Sequence, residues 1–194
     1  FGVYHTDYSQ EMVPGCNGDL YISNNELMQI DWVNTISGEI FATFPLLSNP
    51  KQLEFDPQTG NLYVTFQGVG VTENYYAVIN RNEMTIEYVE LDEPIIMLTL
   101  KDSKSLFVTT KALNAPRFNL HYLKDNEVVG GPWKINVSAI RYNHLNEQIV
   151  ASSYATSPSS LYRFDFDNDG NMSILEHIRT DGANGNDLEI SNDG

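Results

Sequence analysis

The sequence predicts an all-β chain assembled from one four-strand unit used several times over, on three observations. A Leu-aromatic or equivalent pair recurs at near-constant spacing, turn signals separate short alternating runs, and helical periodicity is missing. The pairs are Leu20-Tyr21, Leu62-Tyr63, Leu106-Phe107 and Ile149-Val150, so the steps are 42, 44 and 43 residues. A fixed period of that length marks a repeat architecture. No stretch of ten or more residues places apolar side chains at i, i+3, i+4 and i+7, as an amphipathic helix requires.

Each copy has the same internal order. An alternating run comes first: Leu53-Glu54-Phe55, Leu98-Thr99-Leu100, Ile140-Arg141-Tyr142 and lastly Leu188-Glu189-Ile190. A turn follows, Asp56-Pro57-Gln58-Thr59-Gly60 or Lys101-Asp102-Ser103-Lys104, where Pro and Gly supply the φ angles a tight reversal needs. The Leu-aromatic run is the second strand. The third is Tyr75 to Ile79, with Leu27 to Asp31, Leu120 to Leu123 and Leu161 to Phe166 as counterparts. The polar turn Asn80-Arg81-Asn82-Glu83 leads to a fourth strand at Thr85 to Leu91. Four antiparallel strands in about 43 residues make one blade of a β-propeller, because a single sheet cannot bury both faces and radial stacking covers them.

The blades are expected at residues 18–49, 50–93, 94–137 and 138–181, with a further one beginning at 182–194. The first copy lacks an obvious first strand; Phe1 to His5 or the segment around Met12 is available for it. About four blades are present, which fits part of a six- to eight-bladed propeller completed by the same or another chain. The other closure pairs Leu188 to Ile190 with the strand at Leu20.

The second copy carries a family resemblance. Ser37-Gly38-Glu39-Ile40-Phe41-Ala42-Thr43-Phe44-Pro45 is followed by Asn49-Pro50-Lys51-Gln52-Leu53-Glu54-Phe55-Asp56-Pro57 and by Asn61-Leu62-Tyr63-Val64-Thr65. This resembles the YVTN family of WD40-like propeller repeats, with Ile30-Asp31 and Ile79-Asn80 at the family's Ile-Asp position. The third copy departs from the pattern, with Lys101-Asp102 in place of the Asp-Pro turn. The resemblance implies the fold and a periplasmic, cell-surface or extracellular setting. It implies no reaction, since the motif residues are structural.

Composition narrows function further. With 26 acidic against 11 basic residues the net charge is −15, which repels phosphate backbones and excludes nucleic acid as an expected partner. No run approaches the ~18 apolar residues of a membrane-spanning helix. Cys16 is the only cysteine, which removes an internal disulfide and a cysteine zinc site. The start at Phe1 reads as a processed or excised piece.

The sharpest constellation is Asp165, Asp167, Asp169 and Glu176, in the D-x-D-x-D-G-x5-E spacing of a calcium loop. Carboxylates at alternate positions suit a cation that takes six to eight oxygens. The competing reading is a plain hairpin turn at Asn168-Asp169-Gly170, which leaves Glu176 on the far strand. Asp181 to Asp187 reads as a polar loop between blades, available to close over a ligand. His5, His121, His144 and His177 occupy unrelated positions, and Ser157 to Ser160 lacks a nucleophile-elbow frame. Trp32 and Trp133 are expected to fill gaps between blades. The functional expectation is a non-enzymatic binding or scaffold module that recognises a protein or glycan through loops on one face. The alternative is a lactonase-like or oxidoreductase-associated enzyme with its active site at the channel mouth.

Overall fold

The computed structural model describes residues 11–66, 73–112, 118–153, 159–167, 171–179, 188 and 190–191. Among these every regular element is a β-strand, and sixteen strands form four antiparallel sheets of four. The chain divides into two compact units, Phe1–Ile96 and Met97–Gly194.

The first unit holds two blades, each a simple meander. One contains β1 (Met12–Pro14), β2 (Asp19–Asn24), β3 (Gln29–Asn34) and β4 (Ile40–Pro45). The other contains β5 (Pro50–Phe55), β6 (Asn61–Phe66), β7 (Tyr75–Asn80) and β8 (Thr85–Glu90). The missing first strand is therefore β1, which pairs Val13 with Tyr21 and Pro14 with Leu20. That pairing occupies the edge of β2 away from β3. Leu188 and Ile190 stand outside every sheet, and Glu189 lies outside the described residues.

The second unit repeats the plan. β9 (Ile95–Asp102), β10 (Ser105–Lys111), β11 (Phe118–Lys124) and β12 (Glu127–Ile135) form one sheet, with the first two residues of β9 belonging to the first unit. β13 (Val137–Asn143), β14 (Gln148–Ser153), β15 (Ser160–Phe166) and β16 (Met172–Arg179) form the other. Each Leu-aromatic pair starts a second strand, as its alternation and β-propensity require. One element is misplaced by the sequence reading: the third strand of the first blade runs Gln29–Asn34, and Leu27 and Met28 belong to the turn before it.

Four of the turns share one rule. An Asn or Asp at a strand end accepts hydrogen bonds from backbone N–H groups two or three residues on: Asn34 from Ile36 at 2.8 Å, Asp56 from Gln58 at 2.9 Å, Asn80 from Asn82 at 3.0 Å, Asn143 from Leu145 at 3.0 Å. Four residues after the capping side chain the backbone turns left-handed, at Gly38, Gly60, Met84 and Glu147. The short polar side chain mimics a backbone turn and the left-handed residue realigns the strands. Met28 stands in the same relation to Asn24. Methionine gives no hint of that conformation, which is why this turn reads as strand.

The core lies where blades face each other. In the first unit Tyr21, Ile30 and Phe44 pack with Leu53, Leu62 and Ile79; in the second Phe107 and Leu120 pack with Ile140, Ile149 and Phe164. β6 and β7 are buried on both faces, while β4 and β16 at the outer edges are largely exposed.

Candidate functional site

An antiparallel meander has two dissimilar ends. The turns from first to second and from third to fourth strand share one, here the hairpin end. The loops from second to third strand and the links to the next blade share the other, here the loop end.

At the loop end of the first unit the turn between β2 and β3 is held rigidly. Asp31, buried in β3, accepts from the Asn24 amide at 3.2 Å and the Gln29 amide at 2.6 Å, and the Leu27 N–H bonds Asn24 Oδ1. The Ile-Asp position of the resemblance is thus a brace for this turn. The next link is fastened beside it: the Leu46 N–H donates to the Met28 carbonyl at 2.8 Å, the Leu47 N–H to the Tyr88 hydroxyl at 3.2 Å, and the Ser48 hydroxyl to Glu73 Oε1 at 3.0 Å. This framework leaves four large apolar side chains in solvent: Leu47 is 69% exposed, Leu27 60%, Met12 59% and Met28 45%. Ile36, Ile40, Phe41 and Met84 are exposed toward the hairpin end as well; Leu27, Met28 and Leu47 at the loop end differ in standing on a turn and a link that are fastened to each other, which makes a preformed contact surface. The sequence signal for it was weak, because Leu27-Met28 reads as the start of a strand.

The hairpin end of the same unit holds an ion pair between blades. Arg81, in the turn after β7, meets Asp19 Oδ2 at 3.1 Å and lies over the rings of Trp32, 5.5 Å from the centroid, and Phe55, at 5.8 Å. The Trp32 indole N–H donates to the same carboxylate oxygen. Gly15 makes the close approach possible, since a Cβ there would sit 2.6 Å from Asp19 Oδ1. Burial pushes the Tyr21 phenol above its ordinary range, with Arg81 pulling against it. Cys16 is half-buried in the adjoining turn. Trp32 fills the gap between blades, as expected, and in the second unit half-buried Trp133 does so against Phe166, 5.3 Å between centroids. These groups are committed to packing.

The calcium-spaced residues are placed as follows. Asp165 is on β15 and caps the Phe166 N–H at 2.9 Å. Asp167 takes the turn-capping role, accepting from the Asn171 N–H at 2.8 Å and its side-chain amide at 2.9 Å. Glu176 is on β16 opposite Arg163 and pairs with it at 2.8 Å. Asp169 lies outside the described residues, and among those described no three His, Cys, Asp or Glu side chains gather as a metal site. Asp181 to Asp187, His5, Ser157 and Pro158 also lie outside.

The remaining histidines do not converge. His121 Nε2 is 3.0 Å from Thr110 Oγ1, and His144 packs edge-on to Tyr142. His177 Nε2 is 2.9 Å from Ser160 Oγ, a pairing hidden in the sequence because the two lie 17 residues apart on neighbouring strands. Its ring stacks on Tyr162, 4.6 Å between centroids, and among the described residues no carboxylate meets its Nδ1. A nucleophile needs its base oriented by a third group, and the described residues supply none here.

No family model matches the chain, and no curated protein does. Solved structures do. Hydrazine synthase from Kuenenia stuttgartiensis is similar at TM-score 0.65 and 14% identity, over 81% of this chain and 51% of that one. A catalytically inactive virginiamycin B lyase from Staphylococcus aureus with quinupristin gives 0.63 and 15%, over 87% and 55%. U3-55K gives 0.70 and 11%, over 98% and 60%. At such identities the likeness is one of fold. The chain is a β-propeller protein of four-stranded antiparallel blades, and it spans about half to three-fifths of the length of these structures, as four blades of a larger ring would.

Proposed function

We propose that this protein is a non-enzymatic binding or scaffold propeller that recognises its partner through loops at one end of the blades. The observation that carries this reading is the exposed apolar group Met12, Leu27, Met28 and Leu47 on a braced loop end. Loops on a rigid sheet scaffold are where binding function concentrates. The histidines described are tied to neighbours in their own blades, which supports recognition over catalysis. An acidic surface suits an envelope or extracellular setting.

Immobilised chain probed against peptide and glycan arrays tests the reading. Saturable binding is expected that falls at least tenfold in Leu27→Lys/Leu47→Lys, with the melting temperature unchanged. Turnover of lactones or of quinupristin, abolished by Ser160→Ala or His177→Ala, would replace it with the enzyme reading.

A further inference from the structure

We infer that the loop end of the first unit docks a cationic amphipathic segment of a partner protein, one that alternates apolar residues with Lys or Arg. The inference rests on the binding reading above and names the partner's chemistry.

The apolar side chains are distributed across the blade: Met12 on the inner strand, Leu27 and Met28 in the middle turn, Leu47 beyond the outer strand. Three strand spacings separate the extremes, roughly 14 Å, enough to seat a short helix or extended peptide. Three of the four apolar points have a carboxylate at their side. Glu11 precedes Met12, Glu26 precedes Leu27, and Glu73 is held beside Leu47 through Ser48. Exposed Glu90 and Asp92 continue the acidic border where β8 ends at the same end of the neighbouring blade.

Charge then selects the occupant. Residues 1–96 contain fourteen acidic and only two basic side chains, a net −12, while residues 97–194 contain twelve and nine, a net −3. Both cations of the first unit are committed. Arg81 is in the ion pair at the opposite end, and Lys51 is half-buried, its charge disfavoured by burial and partly restored by Glu11. A second copy of this chain would bring like charge, and anionic lipid or nucleic acid would be repelled. A segment whose Lys or Arg meets the border while its Leu or Phe covers the apolar points satisfies both features. The Asp31 brace fixes the turn beforehand, so little ordering is lost on docking.

Fluorescence anisotropy on the full chain decides the matter, with labelled amphipathic peptides of Leu/Lys, Leu/Glu and Ser/Lys composition. The Leu/Lys peptide is expected to bind, weakening about tenfold between 50 and 300 mM salt. Glu26→Lys/Asp92→Lys and Leu27→Ser/Leu47→Ser are each expected to weaken it about tenfold or more, whereas Ile36→Ser/Met84→Ser at the hairpin end leaves it unchanged. Equal binding of the Ser/Lys peptide, or equal loss in the hairpin-end variant, overturns the inference. Preference for the Leu/Glu peptide at Leu27 and Leu47, or self-association blocked by Leu27→Ser/Leu47→Ser, also overturns it while the binding reading stands. Turnover dependent on Ser160 or His177 removes the binding reading itself.

Discussion

The two units share one strand plan and join their blades by different chemistry. In the first, a buried carboxylate in one blade meets a guanidinium from the next, clamped by aromatic rings. In the second, inner strand β13 donates backbone N–H groups to side chains of inner strand β9: Tyr142 to Thr99 Oγ1 at 3.0 Å and Ile140 to Met97 Sδ at 3.1 Å. An inner strand has one unpaired edge, and the second unit satisfies it with neutral groups from the adjacent blade. The lesson is that apolar facing of sheets sets the blade geometry. The polar fastening is then free to vary, and the strongly acidic unit is the one fastened by charge.

This contrast can be broken at its strongest points first. Phe107 stacks on Tyr122 at 4.9 Å and lies 4.7 Å from Phe166, and it is fully buried. Phe107→Ala should cost about 4 kcal/mol in urea unfolding, because the cavity opens where two blades meet. A loss below about 1 kcal/mol would mean that apolar facing does not dominate. Arg81→Ala should cost roughly 3 kcal/mol, since it leaves the Asp19 carboxylate, 6% exposed, with the Trp32 N–H but no counter-charge. The double variant Asp19→Asn/Arg81→Met should recover most of that, because a neutral pair carries no desolvation penalty. Failure to recover would assign Arg81 a role beyond fastening.

Thr99→Val tests the neutral seam and should cost about 1 kcal/mol, the worth of one hydrogen bond whose N–H is left unmade. The smallest effect concerns the calcium spacing. With Glu176 on Arg163 and Asp167 capping its own turn, millimolar calcium should shift the melting temperature by less than about 1 °C. A rise of several degrees, lost in Asp165→Asn/Asp167→Asn, would place the ion at this loop.

Much of the fold was legible because it is written locally. Alternation and Leu-aromatic spacing located β2, β6, β10 and β14, and Asp56 with Gly60 announced their turn. The local pattern misleads at Leu27-Met28, where methionine occupies a left-handed position that glycine would signal, and so the exposed apolar turn reads as strand. The candidate face was hidden for the same reason. Strand β1 was hard to see because three residues are too few to show a period.

What the sequence determined by itself was the number of strands per repeat, their spacing and the turns between them, since each depends on residues within a few positions of one another. Only the tertiary structure decided that Asp19 meets Arg81 across 62 residues, that Ser160 meets His177, and that Met12, Leu27 and Leu47 gather at one end. Those meetings depend on how sheets stack and strands align, which no local pattern records.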